Sequence, residues 1–266
     1  MGHVNVSGVR LDVGGRTLLE GLDLHVAPGR LCAIVGPNGV GKTTLLRAIA
    51  GFTETAAGVV LIDGRPVGQL DRAERARAVT LIGSDAESPH GMSVRDVVLT
   101  GRFARRAWWD WATGEADYFA ADAALQRVAL TTLAERPFDT LSSGERQRAW
   151  LALALAQDAR VILLDEPTSH LDVRHAADVA ILLRSLADDG RTVLAALHDL
   201  NEAAAIADDV ALLGEGRLLA FGPPESVLEP DVLERAFGIA FERIGGAAPR
   251  VFPRRDRARR SGGGHG

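Results

Sequence analysis

Residues 36–43 read Gly-Pro-Asn-Gly-Val-Gly-Lys-Thr, the spacing G-x-x-x-x-G-K-[ST]. Gly36, Gly39 and Gly41 let the main chain wrap tightly, so successive N–H groups can point at phosphate oxygens. The stretch sits where such a loop has to sit. Before it, LCAIV at 31–35 is a short continuous apolar run, typical of a strand buried on both faces. After it, residues 43–50 carry apolar side chains at helical spacing, and a helix starting there offers partial positive charge to an anion. Backbone and side chains of Gly36, Pro37, Asn38, Gly39, Val40 and Gly41 then form the cradle. Lys42 is placed to reach the β- and γ-phosphates of a nucleotide, Thr43 to ligate Mg²⁺ and Thr44 to add a phosphate contact. Lys42 is also the only lysine in the chain. The other 29 basic residues are arginine, a bias that high-GC coding explains.

The complementary acidic element is VILLDE at 161–166. Four apolar residues make a buried strand, and two carboxylates emerge at its C-terminal end, where open α/β sheets bind ligands. Asp165 is placed to hold Mg²⁺ through water and Glu166 to accept a proton from an attacking water. A second phosphate-binding element, LSSGERQR at 141–148, lies about 20 residues earlier. Ser142 and Gly144 present a hydroxyl and open backbone at the start of a helix over 145–156, another anion site. Two such elements in one chain point to a dimer in which each subunit's second element closes over the other's nucleotide.

The elements that position these groups follow from patterning. Loose alternation through 4–11 and 21–26, with turn signals at Gly14-Gly15 and Pro28-Gly29, predicts strands. Residues 59–62 and 79–82 are further strand candidates. From 93 to 157 strand signals give way to Ala, Leu and Arg at helical spacing. Strand–helix–strand patterning returns over 161–164, 179–186 and 192–197, which predicts an α/β core with a helical insertion.

Composition narrows the class. The chain has 266 residues, 47% apolar and 24% charged, with net charge −5. These values exclude disordered and fibrous classes and allow one large domain or two small ones. The mild acidity argues against nucleic acid as a partner, since phosphate neutralisation requires a basic face. Cys32 is the only cysteine, so no intrachain disulfide or cysteine metal cluster is expected. No apolar run approaches the roughly 18 residues of a membrane helix, and the N-terminus lacks a signal pattern. A cytosolic chain is therefore expected.

Taken together the motifs resemble the ATP-binding subunit of an ABC transporter over about residues 1–245. The Walker A loop is at 36–43, the signature at 141–148 and Walker B at 161–166; the D-loop resembles Ser169-His170-Leu171-Asp172, and the switch histidine is His198 in LAALHDLNEA. The resemblance implies an α/β P-loop NTPase (RecA-like) core with an antiparallel β subdomain and a helical insertion subdomain. The core would span about 1–85 and 158–245 and the helical part about 86–157. Residues 246–266, with six arginines and SGGGHG, are expected to be a disordered tail. ATP and Mg²⁺ are the implied cofactors. His198 would contact the γ-phosphate, and Ser142, Gly144 and Glu145 would act on the nucleotide of a head-to-tail second copy. Integral-membrane permease subunits would be direct partners and a substrate-binding protein an indirect one, which places the chain on the inner face of the cell membrane.

LSSGERQR, DEPTSHLD, HDLN, MSVRDVVLTGR at 92–102 and the ending GRLLAFGPPESVLEPDVLERAFGI are similar to importers of iron-siderophores, haem and cobalamin. Two positions depart from the pattern. Val13 stands where the family places an aromatic against adenine, with Arg16 as a stacking substitute. Ser84, followed by Asp85, stands where it places a glutamine that contacts Mg²⁺ and the membrane subunit. Trp108, Trp109 and Trp111 suit either core packing or a docking surface, and His170 and His175 are expected to be surface histidines. A soluble scaffold-type ABC ATPase and a binding-only subunit remain alternatives at this point.

Overall fold

Gly14 and Gly15, both at positive φ (58° and 77°), turn the chain between β1 (Val4–Val13) and β2 (Arg16–Val26). β4 (Ala57–Ile62) pairs with β1 and β5 (Arg65–Pro66) with β4, giving an antiparallel sheet in the order β2-β1-β4-β5. Alternation sends Val4, Val6, Val9 and Leu11 inward with Leu19, Leu22, Leu24 and Val26, all almost fully buried. The computed structural model describes residues 1–83, 89–103, 113–169, 171–245 and 249–254.

The central sheet contains β3 (Leu31–Val35), β6 (Val79–Ile82), β7 (Val161–Asp165), β8 (Thr192–Ala196), β9 (Asp209–Gly214) and β10 (Arg217–Gly222). Its order is β10-β9-β3-β8-β7-β6, parallel except for β10. β3, β7, β8 and β9 are buried at every position, as strands covered on both faces must be. α1 (Lys42–Ile49) packs Leu45, Leu46 and Ile49 into the core between the two sheets. α2 (Arg72–Ala78) precedes β6, and Asp71 caps it in a reciprocal bond pair with Glu74.

The helical insertion consists of α3 (Val94–Phe103), α4 (Glu115–Arg127) and α5 (Ser143–Gln157), packed around Val97, Val98, Leu125, Phe138 and Leu151. Gly101 is needed for that packing, since a Cβ there would stand 2.5 Å from the carbonyl oxygen of Leu153. The buried Gln157 amide ties the end of α5 to the core: its Oε1 accepts from Thr80 Oγ1 at 2.9 Å and its Nε2 donates to Ala76 O at 2.8 Å. α6 (Val173–Asp188) joins β7 to β8, and α7 (Leu200–Ile206) joins β8 to β9. α8 (Pro224–Val227) and α9 (Pro230–Phe237) follow, then an antiparallel pair, β11 (Phe241–Ile244) and β12 (Arg250–Pro253).

Three features differ from the patterning. β9 and β10 were not expected, although DVALLG at 209–214 is the same kind of continuous buried run as LCAIV. β12 lies inside the stretch expected to be a disordered tail. It is ordered because the Asn201 side chain pairs with the Val251 backbone, donating to O at 3.2 Å and accepting from N–H at 2.8 Å, and because Val251 is buried. The 145–156 helix begins earlier, at Ser143, with Ser142 as its cap.

Candidate functional site

The parallel strands end on one edge, where the phosphate-loop residues, Glu166 and His198 gather. Gly36 leaves β3 with φ 150°, and a Cβ at this position would lie 2.4 Å from Leu213 O. Glycine is required at that crossing. Gly39 and Gly41 also hold positive φ, 76° and 112°. Gly41 is the N-cap of α1, no side chain caps that helix, and its first turn carries no acidic residue. Its free N–H groups and dipole therefore face outward as an anion site. Lys42 is only 6% exposed and donates from Nζ to Gly36 O at 2.9 Å and Pro37 O at 3.2 Å. Burial pulls its pKa below the usual lysine range, partly offset by the charges of Glu166 and Asp165.

Leu18, Asn38, Gly39, Gly41, Lys42, Thr43, Thr44, Glu166 and His198 line a cavity of about 320 Å³ at this edge. Glu166 adopts a left-handed conformation, φ 53°, uncommon for a non-glycine. Its carboxylate contacts His198 Nε2 and accepts from Ser169 Oγ at 3.2 Å. Burial acts to raise the Glu166 carboxyl, but the His198 bond and charge, Ser169 and Lys42 outweigh it and hold it below its ordinary value. The group is thus ionised and aimed at the cavity, as a proton acceptor must be. Asp165, 5% exposed at the end of β7, lies near enough to Lys42 for its charge to be felt.

These donors fit magnesium. Thr43 at the first turn of α1 and Asp165 at the end of β7 offer hard oxygens, and Mg²⁺ takes one or two protein oxygens and completes its shell with phosphate and water. No cluster of three or more His, Cys, Asp or Glu suited to a metal occurs among the described residues, so a fully protein-built cage is not what the site provides.

Ser142, Gly144 and Glu145 do not line the cavity. They form the start of α5, where the Glu145 carboxylate accepts from Ser142 N–H and Oγ–H, both at 2.9 Å, and Glu145 N–H bonds Ser142 Oγ at 3.3 Å. Those two bonds hold the Glu145 carboxyl below its ordinary value. Within its own subunit the hydrogen-bonding capacity of Ser142 at this helix start is taken up by Glu145 in a capping box. The His175 ring lies against Gly144, so a Cβ there would meet it at 2.8 Å. His175 also bonds Asp172, the N-cap of α6.

Leu18 is the residue the sequence did not reveal. Val13, expected near adenine, is half-exposed and does not line the cavity; Leu18, on the next strand, does. Ser84, Asp85, Trp108, Trp109, Trp111 and His170 lie outside the described residues. A larger cavity of about 710 Å³ opens at the opposite edge of the sheet. Of its four arginines, Arg65, Arg160 and Arg191 are paired with Glu74, Asp63 and Asp158, and the four carboxylates Asp63, Glu74, Asp158 and Asp189 balance them and Arg77, which leaves it little net charge to offer.

A parallel sheet ordered around β3, with a glycine-rich loop leading into α1 and carboxylates at the end of β7, defines a P-loop NTPase fold with an antiparallel β subdomain and a helical insertion. Residues 19–169 match the family model described as ABC transporter, and the chain belongs to that family. It is 38% identical over 230 residues to the ferric enterobactin transport ATP-binding protein FepC of Escherichia coli, covering 86% of this chain and 84% of that one. It is 42% identical over 230 residues to the hemin import ATP-binding protein HmuV of Streptomyces coelicolor, covering 86% and 81%. Among solved structures, one chain of an inward-facing transporter assigned to the metal-chelate type superposes with a TM-score of 0.83 at 28% identity, covering 95% of this chain and 98% of that one.

Proposed function

We propose that this chain binds and hydrolyses ATP as the energising subunit of an importer for an iron chelate, haem or cobalamin. The observation that carries the reading is the convergence of Lys42, Glu166 and His198 on one cavity at the N-terminus of α1. The main-chain N–H groups at 39–44 hold the phosphates, and Lys42 exchanges its bonds to Gly36 and Pro37 carbonyls for phosphate oxygens. Magnesium held by Thr43 and Asp165 would neutralise charge on the β- and γ-phosphates. Glu166 takes the proton of the attacking water, and His198 orients Glu166 and contacts the γ-phosphate.

The subunit works as a head-to-tail pair. Ser142 and Gly144 lie outside their own cavity, and a second copy would bring them to its γ-phosphate. ATP then favours the closed pair and hydrolysis the open one, because only the closed form gains the contacts to the signature element. No helix among the described residues is long and apolar enough to cross a membrane. By likeness to relatives described as the ATP-binding proteins of import systems, the permease is a separate partner, with the chain on its cytoplasmic face. A groove between core and helical insertion suits its docking: it is lined by Ala50, Arg72, Arg75, Leu81 and Gln157, with the exposed ring of Phe52 at its edge and Arg75 5.3 Å from that ring's centre. The substrate class rests on the FepC and HmuV relatives. The test is ATP hydrolysis by the chain co-purified with its permease and binding protein in liposomes. Stimulation by a ferric siderophore, haem or cobalamin supports the reading; turnover unaffected by any of the three opposes the importer assignment.

A further inference from the structure

Glu166 and His198 stand on different strands, at the ends of β7 and β8, and meet only through partly exposed side chains. Glu166 is moreover held at φ 53°, and a non-glycine keeps such a conformation only where its surroundings fix it. The tethers are identifiable. Glu166 N–H donates to Ala196 O at 3.1 Å, and Ser169 N–H donates back to Glu166 O at 3.2 Å. Between them, Thr168 Oγ1 donates to Glu202 Oε2 at 2.9 Å.

Glu202 is on α7, four residues after His198. Asp199, directly after His198, caps this helix and accepts from the N–H groups of Asn201 at 2.7 Å and Glu202 at 3.3 Å. On its far side α7 is fixed by Asn201 to Val251, and Leu200, Ala203 and Ala204 are buried. The helix is thus a rigid base, with His198 at one end and Glu202 one turn along. A carboxylate is costly to place here. Burial pushes the Glu202 carboxyl up, Asp199 adds to this, and only Thr168 pulls it down. Its Oε1 is buried with no hydrogen bond among the described residues. The helix is already capped and does not need this group for its own stability, which leaves the bond to Thr168 as the contact it serves.

We propose that Glu202 is a positioning residue: through Thr168 it holds the loop carrying Glu166 against α7, and so keeps Glu166 in contact with His198 at the edge of the cavity. This rests on the reading of Glu166 as proton acceptor. Glu202 does not line the nucleotide cavity, so its removal should lower turnover and leave nucleotide affinity unchanged.

The experiment measures kcat and KM for ATP of the full-length chain with its permease, for the original and for Glu166→Gln, Glu202→Ala, Glu202→Gln, Thr168→Val and the double variant Glu202→Ala/Thr168→Val. Turnover by the original and its loss in Glu166→Gln establish the underlying reading; an inactive original removes that reading and this inference with it. Given that, Glu202→Ala and Thr168→Val should each lower kcat about tenfold, as loss of a hydrogen bond to a charged group does, with KM within about twofold. Glu202→Gln keeps an oxygen acceptor and should recover most of the loss. The double variant should be no slower than the slower single one, because both remove the same bond. Unchanged kcat, a loss expressed in KM, or multiplying effects in the double variant would overturn the proposal. Thr168→Val conserves shape, so it carries the test if Glu202→Ala folds poorly.

Discussion

Replacing Glu145 by glutamine should tighten the ATP-dependent dimer. In the isolated subunit the Glu145 carboxylate sits on Ser142 N–H and Oγ–H at 2.9 Å, the groups proposed to meet the partner's γ-phosphate. A phosphate oxygen bonded to the same hydroxyl would place its charge about 5 Å from that carboxylate. Two unit charges at that distance repel by about 0.8 kcal/mol in water and about 3 kcal/mol at an effective dielectric of 20. Taking the water value as the floor, a doubly charged phosphate gives about 1 to 2 kcal/mol per site. Two sites per dimer make about 2 to 4 kcal/mol, or a drop in the dimer dissociation constant of about 30-fold to several hundred-fold. The amide still accepts from Ser142, but more weakly, and a weaker cap that the phosphate displaces on closure shifts the balance in the same direction. The assay is sedimentation or light scattering with MgATP over a protein concentration series, with Glu166→Gln as background to stop turnover. The difference should shrink as salt is raised from about 0.05 to 0.5 M, because the repulsion is screened. An unchanged or weaker dimer would refute the idea that Glu145 and the partner's phosphate compete for one anion site.

Other substitutions test separate parts of the account. Lys42→Ala should abolish ATP binding by calorimetry, and with Lys42 intact, binding should take up protons increasingly as pH is raised towards the ordinary lysine value of about 10.4, because the apo lysine is pulled below its usual range by burial. Gly36→Ala should cost about 2 to 4 kcal/mol in chemical denaturation, since its Cβ would stand 2.4 Å from Leu213 O. The Glu166 carboxyl titrates below its unfolded value of about 4.3, so the stability it contributes is present above that pH and lost as pH falls through the lower folded value. The stability gap between the original and Glu166→Gln should therefore close on acidification, and a gap constant from pH 6 to pH 3 would contradict the Glu166–His198 contact.

The phosphate loop, the strand ending in Asp165 and Glu166 and the signature helix could be read from the sequence because each is a contiguous run whose spacing states its own geometry. β9 was legible by the same rule as β3, since DVALLG is the same kind of continuous buried run. Other features depend on chain folded far away. Leu18 reaches the cavity only because β2 lays it beside Gly41. The order of β12 depends on Asn201, 50 residues earlier. The S-x-x-E spacing at 142–145 is a capping-box signature, and a carboxylate seated on the Ser142 hydroxyl follows from that spacing, where an open anion site was expected. Glu202 has no motif at all; its partner Thr168 is 34 residues away, and the bond becomes visible once β7 and β8 are neighbours.

The central claim, that each ATP site is completed by the second copy, is tested most directly by mixing two inactive variants. Lys42→Ala destroys the phosphate loop and Ser142→Arg blocks the signature element, so each alone should show no ATPase activity. In a mixed dimer, Lys42 of the Ser142→Arg chain faces Ser142 of the Lys42→Ala chain, which leaves one complete site. Statistical mixing with independent sites should restore about a quarter of the original activity. A mixture as inactive as its components, with mixed dimers shown to form, would contradict the account.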